Sequence, residues 1–188
     1  MLIYIHGFNS SPASFKAKVL QERLAARGRA HEFAAPALPH SPAAAAKVLE
    51  SLALEYPDAA CVGSSLGGYY ATWLAERFNL RAVLVNPAVR PYELLAGHVG
   101  RQKNFHSGEE YDFTCEHVAE LRALELATIT PTRYFLMVET GDEVLDYRAA
   151  VARYDGAQQL VLEGGDHGFS DFAQYADTVL DFCDGAAR

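Results

Sequence analysis

The chain has 188 residues, 50% hydrophobic and 21% charged, with a formal net charge of −8; this suits one domain with a sizeable core and is neither disordered nor membrane-like in composition. The acidic balance argues against the broad basic surface that nucleic-acid binding needs, while leaving room for local sites that bind small anions. No apolar run approaches the roughly 20 residues of a membrane span, the opening Met1-Leu2-Ile3-Tyr4-Ile5-His6-Gly7 lacks the basic region and apolar length of a signal peptide, and Cys61, Cys115 and Cys183 are odd in number and without C-x-x-C spacing, so a reducing cytoplasm is expected, with no disulfide framework and no zinc site.

Residues 2–5 are apolar and β-prone, and His6-Gly7-Phe8-Asn9-Ser10-Ser11-Pro12 is a turn-rich exit from that strand. A helix follows, with Pro12 suited to its first turn and Phe15, Val19, Leu20 and Leu24 at helical spacing up to a stop at Gly28. His31 to Leu38 is a weakly patterned second strand, placed near an edge by Pro36 and Pro39. Ser41-Pro42 reads as an N-cap with proline at N1, opening an alanine-rich helix through about Tyr56. Ala59 to Val62 is a short, wholly apolar strand of the kind covered on both faces in parallel sheets.

After it come Gly63-Ser64-Ser65-Leu66-Gly67-Gly68, a helix through Phe78, and a strand at Arg81 to Val85 ending in Asn86-Pro87. From Arg90 to about Thr128 the pattern breaks, with only His117 to Leu126 clearly helical; this reads as a lid-like insertion in a single domain spanning 1–188. Tyr134 to Val138 is a fifth strand, Glu143 to Tyr154 a helix and Gln159 to Leu162 a sixth strand. Gly164-Gly165-Asp166-His167-Gly168 follows, then a last helix from about Ser170 to Phe182. Six strands alternating with helices predict an α/β domain, a mostly parallel sheet with helices on both faces and ligands at the carboxyl ends of the strands.

Ser65 sits at the centre of G-x-S-x-G between a strand and a helix, the context of a nucleophile elbow. There the residues two before and two after the serine must be small so that strand and helix can approach. Asp142 follows the fifth strand and His167 the sixth, so the chain order is Ser, Asp, His. Serine is a weak nucleophile at neutral pH and needs a base; His167 supplies one, and an acid fixes its tautomer. Asp142 is preferred as that acid because it lies at the turn just past the strand. Asp146, a helical turn farther on, comes next, ahead of Glu139 and Asp166. An oxyanion would be met by the backbone N–H of Leu66 and by one from the loop after the first strand, Phe8 being preferred with Asn9 as the alternative. His6 shapes that loop, and His6, Asn9 and Arg90 are candidate substrate contacts. Ser64 lacks flanking glycines at the right offsets, and Cys115 and His117 lack further metal ligands, so no metal is expected.

The stretches His6 to Pro12, Gly63 to Tyr70, Asn86-Pro87-Ala88, Thr140 to Tyr147 and Gly164 to His167 resemble the YqiA-like small bacterial esterases of the α/β-hydrolase superfamily. The resemblance implies a trimmed six-stranded α/β-hydrolase fold, lacking the usual first two strands, with strand order 2-1-3-4-5-6. It implies hydrolysis of carboxylic ester or thioester substrates, acyl-CoA among them, with Ser65, His167 and Asp142 as the triad and no cofactor. Nothing in it implies an obligate protein partner. A thioesterase on the same triad would use Arg90, Arg101 and Lys103 for the phosphates of a CoA carrier, and a hydrolase fold retained as a ligand-binding module is the reading from a different class. The insertion around Asn104-Phe105-His106-Ser107 departs from the family pattern, where more proline and tyrosine are expected.

Overall fold

Six short apolar runs pair into one parallel sheet in a computed structural model, which describes residues 1–185. The strands are β1 (Leu2–Ile5), β2 (Phe33–Ala34), β3 (Ala60–Ser64), β4 (Arg81–Val85), β7 (Tyr134–Glu139) and β8 (Gln158–Leu162), in the order β2-β1-β3-β4-β7-β8. In strand sequence this is 2-1-3-4-5-6, as the resemblance implied. Every pairing in this sheet is parallel, so each crossover carries a helix: α1 (Phe15–Ala26), α2 (Pro42–Glu55), α3 (Leu66–Phe78), α6 (Tyr147–Arg153) and, after β8, α7 (Ala176–Cys183).

Because successive strand side chains point to opposite faces, each buried strand feeds two cores. Ile3, Ile5, Cys61, Leu84, Leu136 and Val138 pack with Leu49 of α2 and Leu74 of α3. Tyr4, Val62, Val83, Val85, Phe135 and Met137 pack on the other face with Leu20 and Leu24 of α1 and Val179 and Leu180 of α7. Among the described residues no helix is long and apolar enough to cross a membrane.

Several boundaries differ from expectation for local reasons. Ser14, not Pro12, precedes α1, and Pro12 lies in the turn before it. The second strand shrinks to two residues at the sheet edge. The helix expected from Glu143 begins only at Tyr147, because Asp142 takes the N–H groups of Val144 and Leu145 into a turn and Asp146 caps the helix through Arg148 N–H. The last helix is broken, with a 3-10 turn at Phe172–Gln174 before α7. The 90–128 stretch contains α4 (Pro91–Leu95), an antiparallel hairpin of β5 (Gly100–Lys103) with β6 (Glu110–Phe113), and α5 (Cys115–Ala123).

The approach of α3 to the sheet leaves no room for side chains at two glycines. A Cβ on Gly67 would stand 2.0 Å from the Ile5 carbonyl oxygen, and one on Gly63 2.3 Å from the Gly67 oxygen. Both obstacles are backbone and cannot rotate away. Gly67→Ala is therefore expected to destabilise the protein by about 3 kcal/mol in urea unfolding. Gly97→Ala, where nothing lies within 4 Å, should stay within about 0.5 kcal/mol. Equal midpoints for the two variants would contradict the close approach.

Candidate active site

Ser65 occupies the corner between β3 and α3 with φ 55° and ψ −122°, a conformation that costs a non-glycine residue roughly 1–3 kcal/mol. The surroundings hold it there. Ser65 N–H donates to Val85 O at 3.1 Å, and Ser65 O accepts from Gly68 N at 2.9 Å and Ala88 N at 3.1 Å. The corner thus turns the side chain out of the sheet while its backbone stays tied to β4 and α3.

The turns that follow β7 and β8 are pressed together. Thr140 N donates to Leu162 O at 2.8 Å and Gly141 N to Gly164 O at 2.7 Å, and a Cβ on Gly141 would lie 2.5 Å from Gly165 O. This contact brings Asp142 and His167, 25 residues apart, within bonding distance. His167 Nδ1 lies 2.8 Å from Asp142 Oδ2 and 3.0 Å from Oδ1, and His167 Nε2 lies 3.1 Å from Ser65 Oγ. A carboxylate can only accept, so Nδ1 carries the proton and Nε2 is left to accept from the serine hydroxyl.

The Asp142 side chain is 2% exposed. Burial pushes its carboxyl up, but the His167 bond and the N–H groups of Leu145 and Val144 outweigh that and hold it below its ordinary value of 3.8. The stability this carboxylate contributes is therefore present above pH 3.8 and is lost as pH falls through the lower folded value.

Leu66 is the first residue of α3, so its N–H has no acceptor within the helix and sits at the positive end of the helix dipole. The loop after β1 runs alongside: a Cβ on Gly7 would be 3.2 Å from Ser65 Cβ and 3.7 Å from Ser65 Oγ. His6 is buried beneath that loop, its Nδ1 donating to Gly7 O at 3.0 Å while Nε2 accepts from Leu38 N at 3.4 Å. Burial lowers its pKa, which suits a neutral ring engaged at both nitrogens.

Asn9, at φ 53°, donates through Nδ2 to Gln102 Oε1 at 3.2 Å and accepts the Tyr111 hydroxyl at 2.7 Å. Its carbonyl accepts from Phe105 N at 3.0 Å, and Asn104 Nδ2 donates to Ser10 O at 2.9 Å. The hairpin of the insertion is thereby fastened to the loop that flanks Ser65, and the Asn9 amide is occupied in that fastening.

Arg90 is not gathered with these residues. It is exposed before α4, 3.7 Å from Glu93, and lines a cavity of about 700 Å³ between α3, α4 and α6 whose other walls include Trp73, Leu126 and Leu145. A smaller cleft of about 40 Å³ is lined by Phe8, Asn9, Leu66, Tyr70, Tyr111 and Phe113. Of the other candidates, Asp146 is exposed and caps α6, and Ser64 is buried.

Sequence reasoning passed over Asn86, 2% exposed with φ 41°. Its Nδ2 donates to Asp166 O at 3.0 Å and His167 O at 3.2 Å, and its Oδ1 accepts from Glu139 N at 3.0 Å. One side chain thus spans the ends of β4, β7 and the His167 turn. The one local signal was an asparagine at a strand end where a polar side chain would be buried.

Comparison with known proteins agrees with this architecture. The model of the uncharacterised protein family UPF0227 matches residues 1–184. The UPF0227 protein YcfP of Salmonella paratyphi A is 28% identical over 191 residues, covering 97% of this chain and 98% of its own, and a UPF0227 protein of Vibrio parahaemolyticus is 22% identical over 188 residues, covering 97% and 98%. Among solved structures, mouse alpha/beta hydrolase domain-containing protein 10 superposes with a TM-score of 0.74 at 18% identity, covering 99% of this chain and 90% of its own. The ferulic-acid-bound Est1E of Butyrivibrio proteoclasticus superposes at 0.72 and 16%, covering 98% and 88%. The fold is that of the α/β hydrolases.

Proposed function

Because this chain belongs to the UPF0227 family, of YcfP- and YqiA-like proteins, and carries the α/β-hydrolase fold, we propose that it is a serine hydrolase that cleaves carboxylic esters through an acyl-enzyme on Ser65. The observation that carries the reading is the unbroken relay Ser65 Oγ, His167, Asp142, with links of 3.1 and 2.8 Å at the carboxyl ends of three strands.

Ser65 Oγ attacks the ester carbonyl while His167 Nε2 takes its proton; the imidazolium forms against the Asp142 carboxylate. The tetrahedral oxyanion is met by the N–H groups of Leu66 and Phe8. Collapse breaks the bond to the alcohol, which leaves with the proton from His167. Water then attacks the acyl-enzyme, giving up its proton to the same nitrogen, and the acid departs as Ser65 recovers its hydrogen. These steps call for no cofactor and no second chain.

The cleft beside Leu66 and Phe8 has room for a short acyl group, and the larger cavity, which Pro87 lines, shares none of its lining residues. In this reading the 90–128 insertion covers the acyl side and sets chain length, with His6 and Asn9 shaping the oxyanion loop rather than touching substrate. A CoA thioester is less favoured, since of Arg90, Arg101 and Lys103 the first lies 3.7 Å from Glu93 and the second is paired with Glu110 at 2.8 Å, leaving only Lys103 without an ion pair among the described residues.

The test is pre-steady-state hydrolysis of p-nitrophenyl acetate. A burst of about one nitrophenolate per protein chain is expected, because acylation releases the alcohol before water releases acetate. Turnover that persists when acyl transfer to added nucleophiles is excluded, without any covalent acetyl on Ser65, would contradict the acyl-enzyme.

A further inference from the structure

Beneath the His167 turn lies a group of buried ionisable side chains that the acyl-transfer steps leave unused. Glu139, the last residue of β7, is 3% exposed, and its Oε2 accepts the Asp166 N–H at 2.8 Å. Gly165, at φ 75°, lies flat on the Glu139 carboxyl: a Cβ there would stand 2.2 Å from Glu139 Cδ. Asp171 neighbours Glu139 closely enough to raise its carboxyl, and among the described residues its buried Oδ1 has no hydrogen-bond partner. Lys16 of α1, 8% exposed, donates through Nζ to Gly168 O and faces Asp166 and Glu139.

Two neighbouring carboxyls, Glu139 buried and Asp171 half-buried with one oxygen out of water, cannot both be ionised at modest cost. A single proton between Glu139 and Asp171 removes the repulsion and gives the orphaned Asp171 oxygen its donor. We propose that Glu139 is a protonated positioning residue for His167: its O–H donates to Asp171 while Oε2 accepts from Asp166 N–H, and this pins the Gly165–Gly168 turn where the imidazole reaches Ser65. Burial pushes the Glu139 carboxyl up, the Asp166 N–H opposes this, and the neighbouring Asp171 and Asp166 carboxyls add to the rise, so the group stands above its ordinary value, in keeping with that state. Burial lowers the Lys16 ammonium to about 8, so one cation beside the turn still offsets the remaining carboxylates near neutral pH. The inference rests on the reading of His167 as the base.

Glutamine at position 139 keeps one acceptor for Asp166 and gains an N–H for Asp171, so it copies the protonated acid and not the carboxylate. Glu139→Gln and Glu139→Ala are compared by kcat and KM on p-nitrophenyl acetate and by amide hydrogen exchange over 163–169. Glu139→Gln should match the wild type in both. Glu139→Ala should lose on the order of 10²-fold in kcat with KM unchanged and raise exchange at 165–168 about tenfold. Equal damage from both variants would show that an ionised carboxylate is required, and unchanged exchange in Glu139→Ala would show that the turn does not depend on this side chain; either overturns the proposal. Should Glu139→Ala fail to fold, Asp171→Ala removes the acceptor instead and must loosen the same amides. Exchange needs no turnover, so it decides this proposal separately, whereas wild-type ester turnover bears on the serine hydrolase reading.

Discussion

Ser65→Ala is expected to lower kcat on an aryl ester by about 10⁴- to 10⁶-fold, the range seen when a triad nucleophile is removed from an otherwise intact site. The residual rate would come from the donors at Leu66 and Phe8, which still polarise the carbonyl for attack by water. The variant separates chemistry from folding cleanly. Ser65 makes no side-chain cap bond to α3, and alanine accepts φ 55° no worse than serine does, so the unfolding midpoint should stay at the wild-type value. Retention of more than about 1% of kcat by a folded Ser65→Ala protein would place the nucleophile elsewhere.

Asp142→Asn is expected to cost about 10⁴-fold in kcat with the fold unchanged. The asparagine oxygen can still accept from Val144 and Leu145, which bond Oδ1 in the parent. The amide NH₂, however, would face His167 Nδ1 and force that nitrogen to accept. The ring proton then moves to Nε2, the nitrogen 3.1 Å from Ser65 Oγ, and the base is turned into a donor. Asp146→Asn is the control, because asparagine caps a helix as well as aspartate does and among the described residues the Asp146 side chain bonds only Arg148. Kinetics of the two variants side by side assign the acid; a larger loss in Asp146→Asn would contradict the assignment to Asp142.

What could be read from the sequence was what local sterics and period dictate. Gly63 and Gly67 are readable because a strand and a helix cannot meet at that angle with any Cβ present, and the distances of 2.3 and 2.0 Å bear this out. The unrelieved apolar runs of β3, β4 and β7 are readable because both faces of a parallel sheet are covered. The hairpin of β5 and β6 was not, since Gly100-Arg101-Gln102-Lys103 is largely exposed and shows no alternation. Its pairing is anchored through Asn9 and Asn104, which are tertiary contacts. Asn86 and Lys16 escaped for a related reason, and Glu139 was legible only as an alternative acid. Each is a polar residue whose partners lie 27 to 152 residues away, and only the packed fold reveals that they converge on one turn.

The measurement that bears most directly on the central claim is peptide mass spectrometry after exposure to a fluorophosphonate, for the wild type and for His167→Ala. The account predicts a stoichiometric adduct on Ser65 in the wild type and its loss in the variant, since an unassisted serine hydroxyl reacts negligibly at neutral pH. An adduct on any other residue, or a Ser65 adduct that forms as fast without His167, would contradict it.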